Sequence, residues 1–254
     1  PGGSPGDLEP LSLEQQTYWG MAYGSGLDVI LPVTATTDVF TYTGFASHPQ
    51  LSADGRYLAY VYYVPGSSKP DYGPLLRNLQ AGETYTQALE GGANDISFNP
   101  AGDQLAYSNA YQICKANLDG TEPACFGDTR YSWDRPHWSP DGEWFLFSNR
   151  ASGSSATNLF KSRTDGSELT QLTDNSQGRA GGQSWSPDGS QIAYTYGLDY
   201  LEPAEVWVMN ADGSEPAQVF TNTWSHVYPV WHPDGASLAV SGFQDKETGE
   251  GGGL

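Results

Sequence analysis

Basic residues and long apolar runs are scarce in this 254-residue chain, and each shortage argues against a class of partner. Eleven Lys and Arg stand against thirty Asp and Glu, which gives a formal net charge of −19. Nucleic acids and anionic membrane surfaces both need a basic footprint, so neither is an expected partner. No apolar run approaches the roughly 18 residues of a spanning helix, so we expect no direct insertion into a membrane.

Recognisable active-site and metal-site motifs are also scarce. The sequence contains no Walker loop and no His-Glu-x-x-His pair, which argues against a nucleotidase or a zinc protease. The Asp-Gly turns lack the alternating oxygen ligands of a calcium loop, and two cysteines do not make a zinc site. Each of the four histidines lies beside or near a proline, which favours a role in turns or loops. The sequence therefore predicts no cofactor and no metal.

What the chain does contain is five copies of one short pattern. Each copy ends in a tight turn, typically Ser-Pro-Asp-Gly, and is followed by an apolar stretch such as Ile192-Ala-Tyr194. The turn glycines are residues 55, 102, 142, 189 and 235, so the spacings are 47, 40, 47 and 46 residues. Periods of this size, built from short strands and tight turns, are typical of β-propeller blades.

One copy shows how a blade is built. Trp185 ends a first strand, Pro187-Asp-Gly189 turns the chain, and residues 192–195, 206–209 and 218–221 supply three more strands. The pattern therefore predicts an all-β propeller of four-stranded antiparallel blades. The large apolar residue before each inner turn should pack between neighbouring blades as core. These residues are Leu51, Phe98, Trp138, Trp185 and Trp231.

Counting strands gives the expected ring. Five inner hairpins are followed by only four outer hairpins, so one outer hairpin is missing. Residues 27–31 and 38–41 resemble a third and a fourth strand, and the N-terminal strands are predicted to close the last blade. We therefore predict five blades, with six in a longer parent protein as the alternative. Residues 27–245 would form a single propeller, 1–26 a flexible tether and lead-in, and 246–254 a flexible tail.

The Ser-Pro-Asp-Gly turns, the Leu/Ile-Ala-Tyr strands and the segment Val206–Ser214 resemble the propeller repeats of the TolB family. This repeat family occurs in periplasmic scaffold proteins, in extracellular parts of membrane-anchored receptors, and in propellers that gate prolyl-oligopeptidase-type hydrolases. The resemblance implies an extracytoplasmic protein, located in the periplasm, at the cell surface or secreted, and tethering to a membrane or to a larger chain is compatible with it. Six blades are typical of the family, so five would be a departure.

The two cysteines point to the same compartment. Cys114 and Cys125 lie symmetrically about Asp119-Gly120, which is typical of a tight hairpin turn. They would then face each other across an antiparallel pair, at a distance that suits a disulfide. We favour a disulfide over two free thiols, and a disulfide requires maturation in an oxidising compartment.

Candidate binding residues concentrate in the segments expected to form loops on the face opposite the tight turns and at the mouth of the channel. Arginine and aromatic residues dominate binding hot spots, and both are frequent there. The alternative is that these side chains merely pack the loops. The candidates are His48, Asp95, Tyr131, Trp133, Asp134, Arg135, Arg179, Tyr200, Trp224, His226 and Tyr228.

Two functions fit these features. The first is a noncatalytic extracytoplasmic binding or scaffold module that recognises a protein or peptide through the loop face and channel mouth. The second is a glycan-directed lectin or glycoside hydrolase that uses carboxylates in the central channel, with Asp95, Asp134 and Glu202 as candidates. A hydrolase of that kind needs two carboxyl groups, roughly 6.5–9.5 Å apart in an inverting enzyme and about 5–5.5 Å apart in a retaining one.

Overall fold

A computed structural model describes residues 29–33, 36–40, 45–63, 73–79, 83–86, 95–108, 112–127, 131–151, 153–198, 203–221 and 225–243. All of the named secondary-structure elements in these ranges are β-strands. None of the ranges contains a helix long and apolar enough to cross a membrane. The predicted tether and tail lie outside them. The strands are β1 (Val29–Val33), β2 (Thr36–Phe40), β3 (Phe45–Leu51), β4 (Tyr57–Tyr63), β5 (Gly73–Asn78), β6 (Glu83–Thr86), β7 (Ile96–Phe98), β8 (Gln104–Ser108), β9 (Ile113–Asn117), β10 (Ala124–Phe126), β11 (Tyr131–Trp138), β12 (Trp144–Ala151), β13 (Asn158–Arg163), β14 (Thr170–Gln171), β15 (Arg179–Trp185), β16 (Gln191–Gly197), β17 (Glu205–Asn210), β18 (Ala217–Thr221), β19 (Ser225–Trp231) and β20 (Leu238–Phe243).

Four antiparallel sheets of four strands follow one another along the chain, and each is one propeller blade. We number them first (β3–β6), second (β7–β10), third (β11–β14) and fourth (β15–β18). The predicted all-β propeller with four-stranded blades is confirmed. The predicted count of five or six is wrong for the described residues, which form four complete blades. The reason is that β1–β2 and β19–β20 form separate two-stranded sheets, and no hydrogen-bonded ladder joins these two hairpins.

The tight turns between first and second strands are held by a serine and an aspartate. In the fourth blade the Ser186 hydroxyl donates to Asp188 Oδ1 (2.6 Å) and accepts from the Gln191 N–H (2.9 Å). Asp188 also accepts from the Ser190 N–H at 3.0 Å. Gly189 has a φ of 72°, which a glycine adopts without steric cost. The turns of the first and third blades repeat this network with Ser52 and Ser139.

The tight turn of the second blade is held by an asparagine, because Ala101 occupies the position where the other turns have aspartate. The Asn99 side-chain oxygen accepts from the backbone N–H groups of Asp103 and Gln104, both at 3.0 Å. One amide thus replaces both the serine and the aspartate of the other turns.

The hydrophobic core lies between the blades. Phe98 packs against a buried cluster that includes Ala59 and Leu76 of the preceding blade, and Trp185 packs against a cluster that includes Leu146 and Leu159. Trp138 joins the equivalent cluster between the second and third blades, where its ring centroid lies 4.5 Å from that of Phe145. The predicted packing between blades is therefore confirmed for these three aromatic residues.

Leu51, the equivalent residue of the first blade, is 45% exposed, so the same prediction is wrong for it. Its three equivalents pack against the second and third strands of the preceding blade. The described residues contain no four-stranded blade before the first one, and Leu51 has no such surface to pack against.

Neighbouring blades are also joined by polar and turn contacts. The Ser97 hydroxyl donates to the Pro136 carbonyl (2.7 Å), and the Ser184 hydroxyl donates to the Pro229 carbonyl (3.0 Å). At the turns, a Cβ at Gly142 would lie 3.6 Å from Cδ of Pro100, in ordinary van der Waals contact. The first strands of successive blades contact one another, which places them at the centre of the propeller.

Candidate functional site

Most of the predicted binding residues that the structure describes belong to the central first strands. The prediction that they lie in loops is wrong for Tyr131, Trp133, Asp134, Arg135, Arg179, His226 and Tyr228. The reason is that the inner ladders run further than the turn signals indicate: β11 and β12 still pair at Tyr131 and Ala151. His48 lies in β3, and Asp95 directly precedes β7. Tyr200 and Trp224 lie outside the described residues, as does Glu202.

The central strands carry β-bulges where several of these candidates lie. The register shifts between Ser47 and Gln50 in β3 and between Asp134 and His137 in β11, so His48 and Arg135 lie within bulges. A similar shift between Ser225 and Val227 in β19 contains His226. Bulges bend a strand, redirect a side chain and are over-represented beside functional sites. The structure thus brings these three candidates to irregular positions of strands at the centre.

The positions of two of these bulges could be predicted from the sequence. Pro49 and Pro136 follow His48 and Arg135, and proline within a sheet is confined to edges, strand starts and bulges because it cannot donate to the ladder. In the fourth blade the bulge falls at Gly182, whose φ is 57°.

Asp95 directly precedes β7 and is buried, with 8% of its surface exposed. Its backbone carbonyl accepts from the Ser108 N–H at 3.3 Å. Ser108 is completely buried, and its hydroxyl has no hydrogen-bond partner among the described residues. In the next blade Asp134 lies opposite Ser148 in the equivalent ladder, β11–β12. Two successive blades therefore pair an aspartate with a serine at this end of the central strands.

Backbone contacts between the third and fourth blades fix Arg179. The Thr157 N–H donates to the Gly178 carbonyl, and the Ala180 N–H donates to the Thr157 carbonyl, each at 2.9 Å. The Tyr196 hydroxyl adds a hydrogen bond to the Gln177 carbonyl (3.2 Å). The start of β15 is therefore held on both sides, which positions Arg179 on a rigid strand.

A cavity of about 420 Å³ lies at the other end of the central strands, among the tight turns of all four blades. The aromatic residues Trp138 and Trp185 line it as well as packing between blades. Sequence reasoning did not find this cavity because it arises only when turns from four blades come together. Its other lining residues include Gln50, Leu51, Phe98, Asn99, His137 and Ser184.

The predicted disulfide is present. Cys114 and Cys125 are directly opposite each other in the β9–β10 ladder, with Cα atoms 4.0 Å apart. Cys114 is completely buried and Cys125 is exposed. Within the described ranges, no group of three or more His, Cys, Asp or Glu residues could hold a metal ion.

Curated proteins with similar sequences include a peptidase-like protein and TolB. No family model matches the chain. It is 26% identical over 218 residues to the uncharacterized peptidase YuxL of Bacillus subtilis, covering 81% of this chain and 31% of that protein. It is 30% identical over 121 residues to the Tol-Pal system protein TolB of Anaeromyxobacter dehalogenans, covering 48% of this chain and 26% of that protein. The chain thus spans about a third or less of these two relatives.

Solved structures with the same fold include TolB from Acinetobacter baumannii, at a TM-score of 0.61 and 16% identity, covering 80% of this chain and 50% of that one. A putative TolB from Agrobacterium tumefaciens has a TM-score of 0.56 and 18% identity, over 82% and 94% of the two chains. An oligogalacturonate lyase in complex with manganese reaches a TM-score of 0.61 at 17% identity, over 79% and 59%.

The fold and the repeated turns define a β-propeller. Together with the sequence similarity to TolB proteins, they confirm the resemblance to TolB propellers that the Ser-Pro-Asp-Gly repeats predict.

Proposed function

We propose that this chain is a noncatalytic binding or scaffold module that recognises a protein or peptide at the bulged end of its central strands. The observation that carries the proposal is the placement of His48, Arg135 and His226 within register shifts of three central strands. Rigid strands hold such positions more precisely than loops do, and bulges interrupt the ladder there. Similarity to proteins named for the Tol-Pal system supports a protein partner.

We also propose that the protein works outside the cytoplasm. The Cys114–Cys125 disulfide supports this location because disulfides persist in oxidising compartments and are rare in the cytosol. Labelling the protein with a membrane-impermeant reagent in intact cells of the source organism should modify it. Labelling only after the cells are lysed would contradict an exported location.

Chemical crosslinking against envelope and secreted proteins of the source organism tests the binding proposal. Trp133→Ala combined with Arg135→Ala should remove a crosslinked partner that the unmodified chain captures. The matched control is Trp144→Ala with Arg163→Ala, a stacked pair of the same residue types in the same blade, 4.1 Å from guanidinium carbon to ring centroid. If the first variant retains every partner, or if both variants lose the same partner, the assigned surface is wrong.

A glycan-directed function is the second candidate; the oligogalacturonate lyase of similar fold and the position of Asp95 directly before a central strand support it. A carboxylate in such a place can accept hydrogen bonds from a ligand hydroxyl or take part in proton transfer. A glycan array with the unmodified chain and with Asp95→Asn separates the two proposals. Binding to a defined glycan that Asp95→Asn abolishes would support a lectin, and product release from that glycan would support an enzyme. Absence of both would leave the protein-binding proposal alone.

A further inference from the structure

The cavity of about 420 Å³ among the tight turns is lined mainly by apolar side chains. One of them, Leu51, is 45% exposed. The aromatic side chains of Trp138 and Trp185 also pack between blades, so the core fixes two of the lining residues in place. Three prolines complete this apolar lining, Pro100, Pro140 and Pro187. A surface of this kind suits an aromatic or aliphatic side chain of a partner.

The inner turns, which join the first and second strands of each blade, place carboxylates directly beside the cavity. Ala53, Pro140 and Pro187 line it, and the next residue in each of these turns is an exposed aspartate. The inner turns of the second and third blades add the exposed Asp103 and Glu143. The three aspartates are Asp54, Asp141 and Asp188. An apolar cavity therefore has a negatively charged rim.

The outer turns, which join the third and fourth strands, extend this negative rim. They lie beside the inner turns: the Thr164 N–H donates to the Glu143 carbonyl (3.3 Å), and the Ala211 N–H donates to the Ser190 carbonyl (2.9 Å). In the second, third and fourth blades each outer turn carries an exposed aspartate and an exposed glutamate. These residues are Asp119, Glu122, Asp165, Glu168, Asp212 and Glu215.

The backbone does not favour glutamate at these outer turns. Glu122, Glu168 and Glu215 have φ of 54°, 53° and 53°, a conformation that glycine adopts at lower cost. Glu168 and Glu215 accept hydrogen bonds from Arg163 (3.2 Å) and Asn210 (3.3 Å), but exposed pairs of this kind contribute little to stability. A function for the charge itself accounts for its recurrence in three successive blades.

We propose that this tight-turn end is a second interaction surface, which binds a basic segment of another protein. An apolar side chain of the segment enters the cavity, and its Lys and Arg side chains pair with the carboxylates of the turns. Charge complementarity carries the choice of partner, because an acidic surface attracts such a segment and repels nucleic acids and anionic lipids. The bulges lie at the other end of the central strands, so this inference does not depend on the function proposed above.

A designed peptide tests the two parts of the surface. The probe is a fluorescein-labelled heptapeptide, Gly-Lys-Arg-Trp-Arg-Lys-Gly, and fluorescence anisotropy measures its binding. Replacing its tryptophan by glycine should weaken binding by at least about tenfold, because the cavity loses its apolar anchor. Raising the ionic strength to about 1 M should also weaken it, since the Debye length falls to about 3 Å. Absence of binding, or equal binding of the peptide without tryptophan, would overturn the proposal.

A pair of variants at Ala53 tests the charge of the rim. Ala53 is exposed and lines the cavity, so Ala53→Arg and Ala53→Glu add opposite charges at one place. A unit charge within about 4 Å of another changes affinity about fivefold in water, so Arg should weaken binding and Glu should strengthen it, each by about that factor. The matched control is Ser176→Arg, on the exposed link between β14 and β15 at the other end. If it weakens binding as much as Ala53→Arg does, the attraction is nonspecific and the proposal fails.

Photo-crosslinking locates the peptide. Benzoylphenylalanine in place of the peptide's tryptophan should attach to cavity residues such as Leu51 or Trp138, whereas attachment confined to the bulged end would overturn the inference. A second copy of the chain is the competing occupant, because Arg150 and Arg179 lie at the bulged end. Concentration-dependent self-association in gel filtration without peptide, abolished by Ala53→Arg, would overturn the choice of a separate basic partner.

Discussion

Lys161 of the third blade donates a hydrogen bond from Nζ to the backbone carbonyl of Ala211 in the outer turn of the fourth blade, at 2.7 Å. The same ammonium group lies 4.9 Å from the centroid of the Trp144 ring. Burial lowers the pKa of Lys161 below its ordinary value of 10.5. One side chain therefore links the third strand of one blade to the outer hairpin of the next.

Replacing Lys161 by Met should lower the free energy of unfolding by about 1 kcal/mol. The hydrogen bond to a charged donor is lost, while removal of a partly desolvated charge offsets some of that loss. Urea unfolding measures the change. Lys115→Met is the matched control, since Lys115 holds the equivalent position in β9 and acts on Asp165 only as a nearby charge. An equal loss of unfolding free energy in both variants would show that the hydrogen bond from Lys161 to Ala211 does not itself stabilise the fold.

Gly166→Ala should destabilise the protein more than Gly55→Ala. Both glycines have positive φ, 86° and 68°, so each substitution carries roughly 1–2 kcal/mol of backbone strain. At Gly55 a Cβ would meet nothing within 4 Å, whereas at Gly166 it would lie 2.7 Å from Phe126. We expect the Gly166 variant to lose at least about 1 kcal/mol more, because Phe126 must move out of a packed site. Similar urea midpoints for the two variants would contradict the contact.

Stability should fall as the pH is lowered from about 4 to about 2. Hydrogen bonds from the Ser186 hydroxyl and the Ser190 N–H hold the pKa of Asp188 at about 2, below its ordinary 3.8. Hydrogen bonds from the Arg56 N–H and the Ser52 hydroxyl lower the pKa of Asp54 to about 2 in the same way. A carboxyl group whose pKa is lower in the folded state stabilises the fold above its unfolded pKa. That contribution is lost as pH falls through the folded pKa.

The variant Asp54→Asn with Asp188→Asn checks this pH dependence. It should be less stable than the unmodified protein at pH 6, and the difference between the two should shrink towards pH 2. Thermal unfolding followed by circular dichroism at several pH values measures both curves. A constant difference across this range would mean that these two carboxylates do not carry the effect.

Reduction of the Cys114–Cys125 disulfide should add two hydrogens to the intact mass and lower the melting temperature. The two residues are 11 apart in sequence, and closing a loop of this size stabilises a fold by roughly 3 kcal/mol in the chain-entropy model. Cys125 is exposed, so a reductant can reach it. The neighbouring Phe126 packs near Phe145, with ring centroids 6.0 Å apart, so loosening β10 should also weaken the contact between two blades. An unchanged melting temperature would contradict this role.

The repeated turns made much of the fold predictable. A Ser-Pro-Asp-Gly turn followed by an apolar strand specifies a hairpin by local chemistry alone, and each copy forms the expected inner hairpin. The disulfide was predictable for the same reason, because two cysteines equidistant from an Asp-Gly turn must face each other. Packing of Phe98, Trp138 and Trp185 between blades followed from the position of a large apolar residue in every repeat.

Features that depend on several blades at once were not predictable in this way. The cavity among the tight turns exists only because four turns meet at one end of the molecule. The number of complete blades was also missed, because β1–β2 and β19–β20 form separate two-stranded sheets instead of one blade. The extent of the central strands was also missed, because Ser132 and Asp134 are residue types that are common in turns, yet both lie within β11. The prolines at 49 and 136 were the available signal for the bulges.

The contact between Gly142 and Pro100 has an evolutionary consequence. A Cβ at Gly189 would likewise lie 3.6 Å from Cδ of Pro140, so the turn of each of these blades approaches the turn of the one before through the same two residue types. A tandem duplication of one repeat, such as the 47 residues from Gly142 to Gly189, would therefore bring a complete and compatible interface with it. Gain or loss of a whole blade needs no compensating substitution at these turns. Lineages of this propeller should consequently differ in blade number more readily than in the residues that form the turns.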